Sequence, residues 1–265
     1  MFTIPLFDDS PTRRTALVVW AIIIGCIATF LWQVGLPRAA QHNIVYSLGV
    51  VPAVLFGEAE LPRRLQLVPP WATIFTSLFL HGGWLHVIGN MLYLWIFGDN
   101  VEDAMSRPRF VVFYLVCGAA AALTQSLASP GSSVPMIGAS GAIAGVLGAY
   151  VLLHPRANVT VLVFIVIFVR FIQLPAIFVL GVWFVLQVAS GAMTPNESGG
   201  VAFWAHAGGF LTGMALIPFF KDRDVPLFGG PYSKSFSVRR PREMRRGGSV
   251  PAAGSYRRGR RGPWG

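Results

Sequence analysis

Charge is scarce in this chain: 12% of its 265 residues are Asp, Glu, Lys or Arg, against 54% hydrophobic residues and a mean hydropathy of +0.60. A soluble domain carries about a quarter charged residues on its surface, so most of this chain has lipid as its solvent. Cysteine is nearly absent as well. Cys26 and Cys117 both fall inside apolar runs without CxxC spacing, which excludes a disulfide framework and leaves them as packing residues. No HExxH occurs, and no Asp, Glu or Cys lies where it could complete a metal site with His81, His86 and His206, so neither metal nor cofactor is expected. No internal repeat is apparent, and few charges lie inside apolar runs, which argues against a channel or an inverted-repeat transporter.

The net charge of +10 is concentrated at one end. Residues 221–265 hold 12 of the 21 Lys/Arg and 3 of the 11 Asp/Glu, a net +9 that leaves +1 for the rest. A basic tail on a near-neutral apolar body fits a cytoplasmic extension near anionic headgroups better than a nucleic-acid reader. Pro, Gly, Ser and Arg dominate from about residue 222, so residues 221–265 are expected to form a disordered cytoplasmic tail. Residues 1–15, acidic and then basic, form a cytoplasmic N-terminus. The first apolar run follows without a small-residue cleavage site and is expected to stay as a helix.

Crossing a bilayer core of roughly 30 Å takes about 20 apolar residues in a helix. Five runs approach this, at 16–35, 109–128, 138–153, 174–191 and 201–220, and a sixth at 84–98 is apolar apart from His86 and Asn90. With Arg13 and Arg14 inside, six spans also place Arg107, Arg109, Arg156 and the basic tail inside, and the Lys/Arg-free loop at 129–137 outside. A seventh span would put the tail outside. Residues 158–170, short and β-branched, are therefore expected to be an interfacial connection. The chain is thus expected to be an all-α membrane protein, residues 16–220 forming a six-helix body, with a long outer loop at 36–83 made of short amphipathic helices. The membrane is expected to be the plasma membrane.

Three stretches carry polar groups that lipid does not tolerate idly. GASGAIAGVLGAY (138–150) puts Ser140 among Gly138, Ala139 and Gly141 at the outer start of the fourth helix, where unpaired amides and the positive dipole end suit an oxyanion. Its small residues also form rows that let helices pack, which by itself is sufficient reason for them. WAHAGGFLTG (204–213) puts His206 in the outer half of the sixth helix, on one face with Gly209 and Gly213. One span separates the two helices that carry Ser140 and His206, so both run from outside to inside and the pair lies at similar depth. HGGWLHVIGN (81–90) places His86 and Asn90 on one face at the outer entrance to the second helix, as donors for an oxyanion. His81 lies outside that run and is expected to hold the loop. Asp99, Glu102 and Asp103 lie at the opposite end of the helix, so a Ser/His dyad is the most that the residues support.

In this order, HGGWLHVIGNM, GASGAIAG and AHAGGFLTG resemble the rhomboid family of intramembrane serine proteases over roughly residues 70–220. The resemblance implies Ser140 as nucleophile, His206 as general base and then acid, and an oxyanion hole from His86, Asn90 and the Ser140 amide. It implies substrates that are single-span membrane proteins whose helix unwinds near the outer interface. Two departures stand out. Trp71-Ala72 replaces the Trp-Arg of many members, and Ala144 stands where members often stack an aromatic on the histidine, so packing from another helix is expected to substitute. A rhomboid-like protein that binds transmembrane helices without cutting them is the alternative; its usual mark, loss of the Ser or the His, is absent here.

Overall fold

The computed structural model describes residues 2–165, 168–193 and 201–229, and the basic tail from 230 onward lies outside the described residues. In chain order the elements are β1 (Phe2–Asp8), α1 (Leu17–Gly35), α2 (Arg38–Leu48), α3 (Pro52–Leu55), α4 (Thr73–Thr76), α5 (Trp84–Asp103), α6 (Arg107–Ala128), α7 (Ser140–Leu153), β2 (Asn158–Ile165), β3 (Phe168–Pro175), α8 (Ala176–Met193) and α9 (Phe203–Phe220). Each of the six apolar runs is one of the longer helices. Four of them, α1, α6, α8 and α9, are long and apolar enough to cross a membrane. The 20-residue α5 ends in the polar GDNVED. The 14-residue α7 rises only about 21 Å, less than a bilayer core.

α7 is the axis of the bundle. Twelve of its fourteen residues are buried, consistent with a helix that is apolar on every side. Its glycines set the distance to its neighbours. A Cβ at Gly209 of α9 would run into the Gly141 carbonyl, and one at Gly213 into the Gly145 carbonyl, so α7 and α9 touch backbone to backbone. Cys26 and Cys117 are fully buried in the core, where Cys117 lies against Gly145. Large apolar side chains such as Ile24, Val182, Val185 and Phe219 are exposed around the outside, as a lipid-facing surface requires. α8 is the most peripheral of the long helices, with only Ala176, Leu180 and Gly191 buried.

The segment between α1 and α5 contains α2, α3 and α4 with 3-10 turns between them, and it is tied down over the start of α7. Val50 and Met136 exchange backbone hydrogen bonds at 3.0 and 2.7 Å, and the Gly138 amide donates to the Ser77 carbonyl at 2.9 Å.

The opposite end adds a feature that the helical reading lacks. Residues 158–170, expected as an interfacial connection, form most of an antiparallel hairpin of β2 and β3, and β1 from the N-terminal segment pairs with β2 in the order β1-β2-β3. Beside this sheet, Arg13 and Arg14 each donate backbone and side-chain hydrogen bonds to the Asp103 carboxylate. Residues following α9 meet the same cluster, through Arg14–Asp222, Arg109–Asp222 and Arg13–Asp224 pairs at 3.3–3.5 Å. The start of α1 and the exit of α9 therefore lie at one end of the body. Residues 221–229, assigned to the tail by composition, fold back on α7: Val225 is buried, and the Phe228 amide donates to the Leu152 carbonyl at 2.6 Å.

Candidate active site

Ser140 is the first residue of α7, so its amide has no carbonyl a turn earlier in the helix to bond. The chain enters that position through Gly138, whose φ of +123° is open to glycine and strained for other residues. His206 lies in the first turn of α9. That turn begins after Ala202, which has no capping side chain of its own. Gln125 of α6 supplies the cap instead, its Oε1 accepting from the amides of Trp204 and Ala205 at 3.1 and 3.3 Å. α9 is thereby fixed to α6 one residue before the histidine.

The two helices bring His206 Nε2 to 2.8 Å from Ser140 Oγ. On the other side of the ring, Nδ1 lies 2.8 Å from Oε1 of Gln187 in α8. An amide oxygen only accepts, so Nδ1 carries the proton and Nε2 keeps its lone pair for the serine hydroxyl. The Trp183 ring, also from α8, lies 5.7 Å from the histidine ring at 34°. Ala144 lines the same cavity without an aromatic group to offer.

His86 and Asn90 lie one turn apart on α5, facing Gly138. A Cβ at Gly138 would lie 2.7 Å from His86 Nε2 and 3.6 Å from Asn90 Nδ2, so both nitrogens point at the backbone two residues before the serine. The Gly82 amide donates to His86 Nδ1 at 3.3 Å, which leaves the ring proton on Nε2, on the Gly138 side. Asn90 Nδ2 is buried without a hydrogen-bond partner. His81 is buried behind His86, its ring meeting that of His86 edge-on at 5.1 Å, and it does not line the cavity that Ser140 and His206 share. Its Nδ1 donates to the Phe79 carbonyl at 3.2 Å, and Gln33 of α1 holds its backbone through both amide and carbonyl. Ser140, His206, His86 and Asn90 all line one cavity of about 990 Å³. Such a group can deprotonate a hydroxyl and receive an oxyanion between fixed donors. Among the described residues, no three His, Cys, Asp or Glu side chains cluster as metal ligands.

A Rhomboid domain model matches residues 69–223, more than half of the chain and all of this site. The chain belongs to the rhomboid family. It is 33% identical over 246 residues to RHOMBOID-like protein 1 of Arabidopsis thaliana, covering 89% of this chain and 56% of that one. It is 28% identical over 229 residues to the mitochondrial Rhomboid protein 1 of Saccharomyces cerevisiae, covering 80% of this chain and 59% of that one. With the Rhomboid protease GluP of Bacillus subtilis it shares 38% identity over 105 residues, 39% of this chain and 20% of that one. This rhomboid thus spans less than two thirds of the length of these relatives, and it is a multi-pass membrane protein by its helices.

Three residues of this rhomboid's site escaped the sequence reading: Gln125, Trp183 and Gln187. The two glutamines had a signal, because each is an amide inside a run otherwise made of apolar and small residues, the same criterion that singled out Asn90. Trp183 had none, since a tryptophan in an apolar helix reads equally as lipid-facing.

Proposed function

We propose that this rhomboid is an intramembrane serine endopeptidase that cuts transmembrane protein substrates with Ser140 as nucleophile and His206 as its base. The observation that carries the reading is the 2.8 Å approach of Ser140 Oγ to His206 Nε2 inside a cavity that also holds two donor side chains. Ser140 Oγ attacks the scissile carbonyl while His206 Nε2 takes its proton. The oxyanion is received by the Ser140 amide, His86 Nε2–H and Asn90 Nδ2–H. His206 then returns the proton to the leaving amine, and a water entering the cavity hydrolyses the acyl-enzyme by the same route in reverse. Gly138, Gly141 and Gly209 support the site by admitting close backbone approach, and His81 supports it by holding the entrance to α5.

Six spans are proposed, with α5 and α7 crossing beside the four longer helices. The shortness of α7 supports placing Ser140 below the membrane surface, at a depth where a substrate helix hides its carbonyls in hydrogen bonds. Substrate helices that unwind easily are therefore favoured. We place the body in a plasma membrane with both ends cytoplasmic, as the Lys/Arg distribution supports, and the basic tail against anionic headgroups.

The test is cleavage of a single-span reporter by the purified full chain in proteoliposomes, together with labelling by a fluorophosphonate probe. Ser140→Ala should abolish both, and His206→Ala should abolish cleavage. Turnover retained in Ser140→Ala would overturn the nucleophile assignment. A chain that binds transmembrane helices without cutting them would show no turnover in the unmodified protein either.

A further inference from the structure

We propose that Gln187 is a positioning residue for the base, completing a Ser140–His206–Gln187 relay with Trp183 as a shelf under the imidazole; the proposal rests on the Ser140/His206 reading above. In this relay the histidine is aligned by α8 rather than by its own helix or by the serine's helix.

The geometry is that of one helix face gripping another. Trp183, Phe184 and Gln187 project from adjacent turns of α8, and His206 and Phe210 from adjacent turns of α9. Phe184 stacks on Phe210 at 4.7 Å and 24°, and Trp183 touches both Phe210, at 6.2 Å, and His206, at 5.7 Å. One turn further along α8, Gly191 lets the helices close: a Cβ there would lie 3.2 Å from both Phe203 and Trp204. That close approach lets the Gln187 amide reach Nδ1 at 2.8 Å.

An imidazole whose Nδ1 has no acceptor can exchange its tautomer and present an N–H, useless as a base, to Ser140. Gln187 Oε1 removes that choice, and it continues to accept from Nδ1–H when Nε2 takes the serine proton. The amide does this without a formal charge. The ring's flank, which Ala144 leaves bare, is covered by Trp183, so plane and tautomer are both set from α8.

The experiment compares Gln187→Met, Gln187→Glu, Trp183→Ala and Trp183→Phe with the unmodified chain in proteoliposomes, reading kcat and KM on the single-span reporter and the rate of fluorophosphonate labelling. Methionine matches the length of glutamine and its helix preference but offers no comparable acceptor. Gln187→Met should lower kcat by about tenfold or more with KM within about twofold, and labelling should slow by a similar factor. Gln187→Glu, which keeps an acceptor at the same reach, should recover much of that loss. Trp183→Phe should keep most of the rate that Trp183→Ala loses. Unmodified kcat in Gln187→Met would overturn the proposal, as would equal losses in the Met and Glu variants, which mark a purely structural side chain. If Ser140→Ala or His206→Ala retains turnover, the dyad itself fails. If both are inactive while Gln187→Met is normal, only the relay fails.

Discussion

Asn90 Nδ2 is a buried donor with no protein acceptor, and a group left so costs about 1–3 kcal/mol of desolvation that no protein atom returns. An oxyanion would return it. Stability and activity should therefore separate at this position: Asn90→Ala should lower kcat by about 10²-fold or more with KM little changed, while the thermal unfolding midpoint in detergent stays level or rises. A falling midpoint together with unchanged kcat would place Asn90 in the packing. Gly138 makes the complementary case. With φ at +123° and a Cβ due 2.7 Å from His86 Nε2, Gly138→Ala strains the backbone by about 1–2 kcal/mol and pushes the His86 ring aside. Both the midpoint and the fluorophosphonate labelling rate should fall. At this scale much of the site was legible, because Ser140, His206, His86 and Asn90 are polar groups in apolar surroundings at helical spacing. The relay to Gln187 was not, since which amide faces which histidine depends on the rotation of α8, and no local pattern records that.

At the scale of elements, packing and chemistry turn out to use the same residues. The glycine rows of α7 and α9 read equally well as packing or as a site, and the two readings do not compete: the backbone contact at Gly141 and Gly209 brings Ser140 within reach of His206. Capping follows a related economy. α1 and α9 both begin after an alanine with φ −78° and ψ 75°, and each borrows its cap from a neighbouring helix. Glu102 of α5 accepts from the amides of Val18 and Val19 at 3.1 and 2.8 Å, as Gln125 of α6 does for Trp204 and Ala205. Gln125→Ala should cost about 1–2 kcal/mol in unfolding free energy and lower kcat as well, because the freed turn leads directly into His206. Glu102→Ala should destabilise by a similar amount or more, its carboxylate also facing a helix dipole, but at fixed temperature below the transition it should leave kcat alone. Helix positions were legible from apolar length to within a few residues, apart from the polar end of α5. Caps supplied across the bundle were not, because a cap is sought in sequence next to the helix it closes.

Over the whole molecule, the end opposite Ser140 closes through contacts that are very distant in sequence. β1 pairs with β2 across some 150 residues, so the N-terminal segment, read alone as a cytoplasmic N-terminus that is acidic and then basic, gave no sign of a strand, and the β-branched run at 158–165 had no visible partner. Asp8 at the end of β1 is the link to α7, the helix that carries Ser140. It accepts from the Tyr150 hydroxyl near the foot of α7 and from Asn100 Nδ2 at 3.1 Å. Burial, reinforced by the nearby Asp99 and Asp9 carboxylates and opposed by the Tyr150 hydrogen bond, raises its carboxyl from the ordinary range to about 7. A carboxyl raised on folding favours the folded state while it is protonated, and that contribution is lost as pH climbs from about 4 through 7. Nearby His154, within reach of Ser10 Oγ at 3.3 Å, is pushed down to about 4 by its burial, so it opposes folding as pH falls from 6.5 toward 4. Between about 4 and 6.5 the contributions of Asp8 and His154 have opposite slopes, and only a comparison of variants isolates either one. Asp8→Asn removes one of them. The variant's advantage over the unmodified chain should grow with pH across that window until about pH 7 and then stay constant, at roughly 2 kcal/mol once partial exposure is discounted. Thermal unfolding in detergent at half-unit pH steps measures this directly, and an advantage independent of pH would show that Asp8 is ionised in the folded protein throughout.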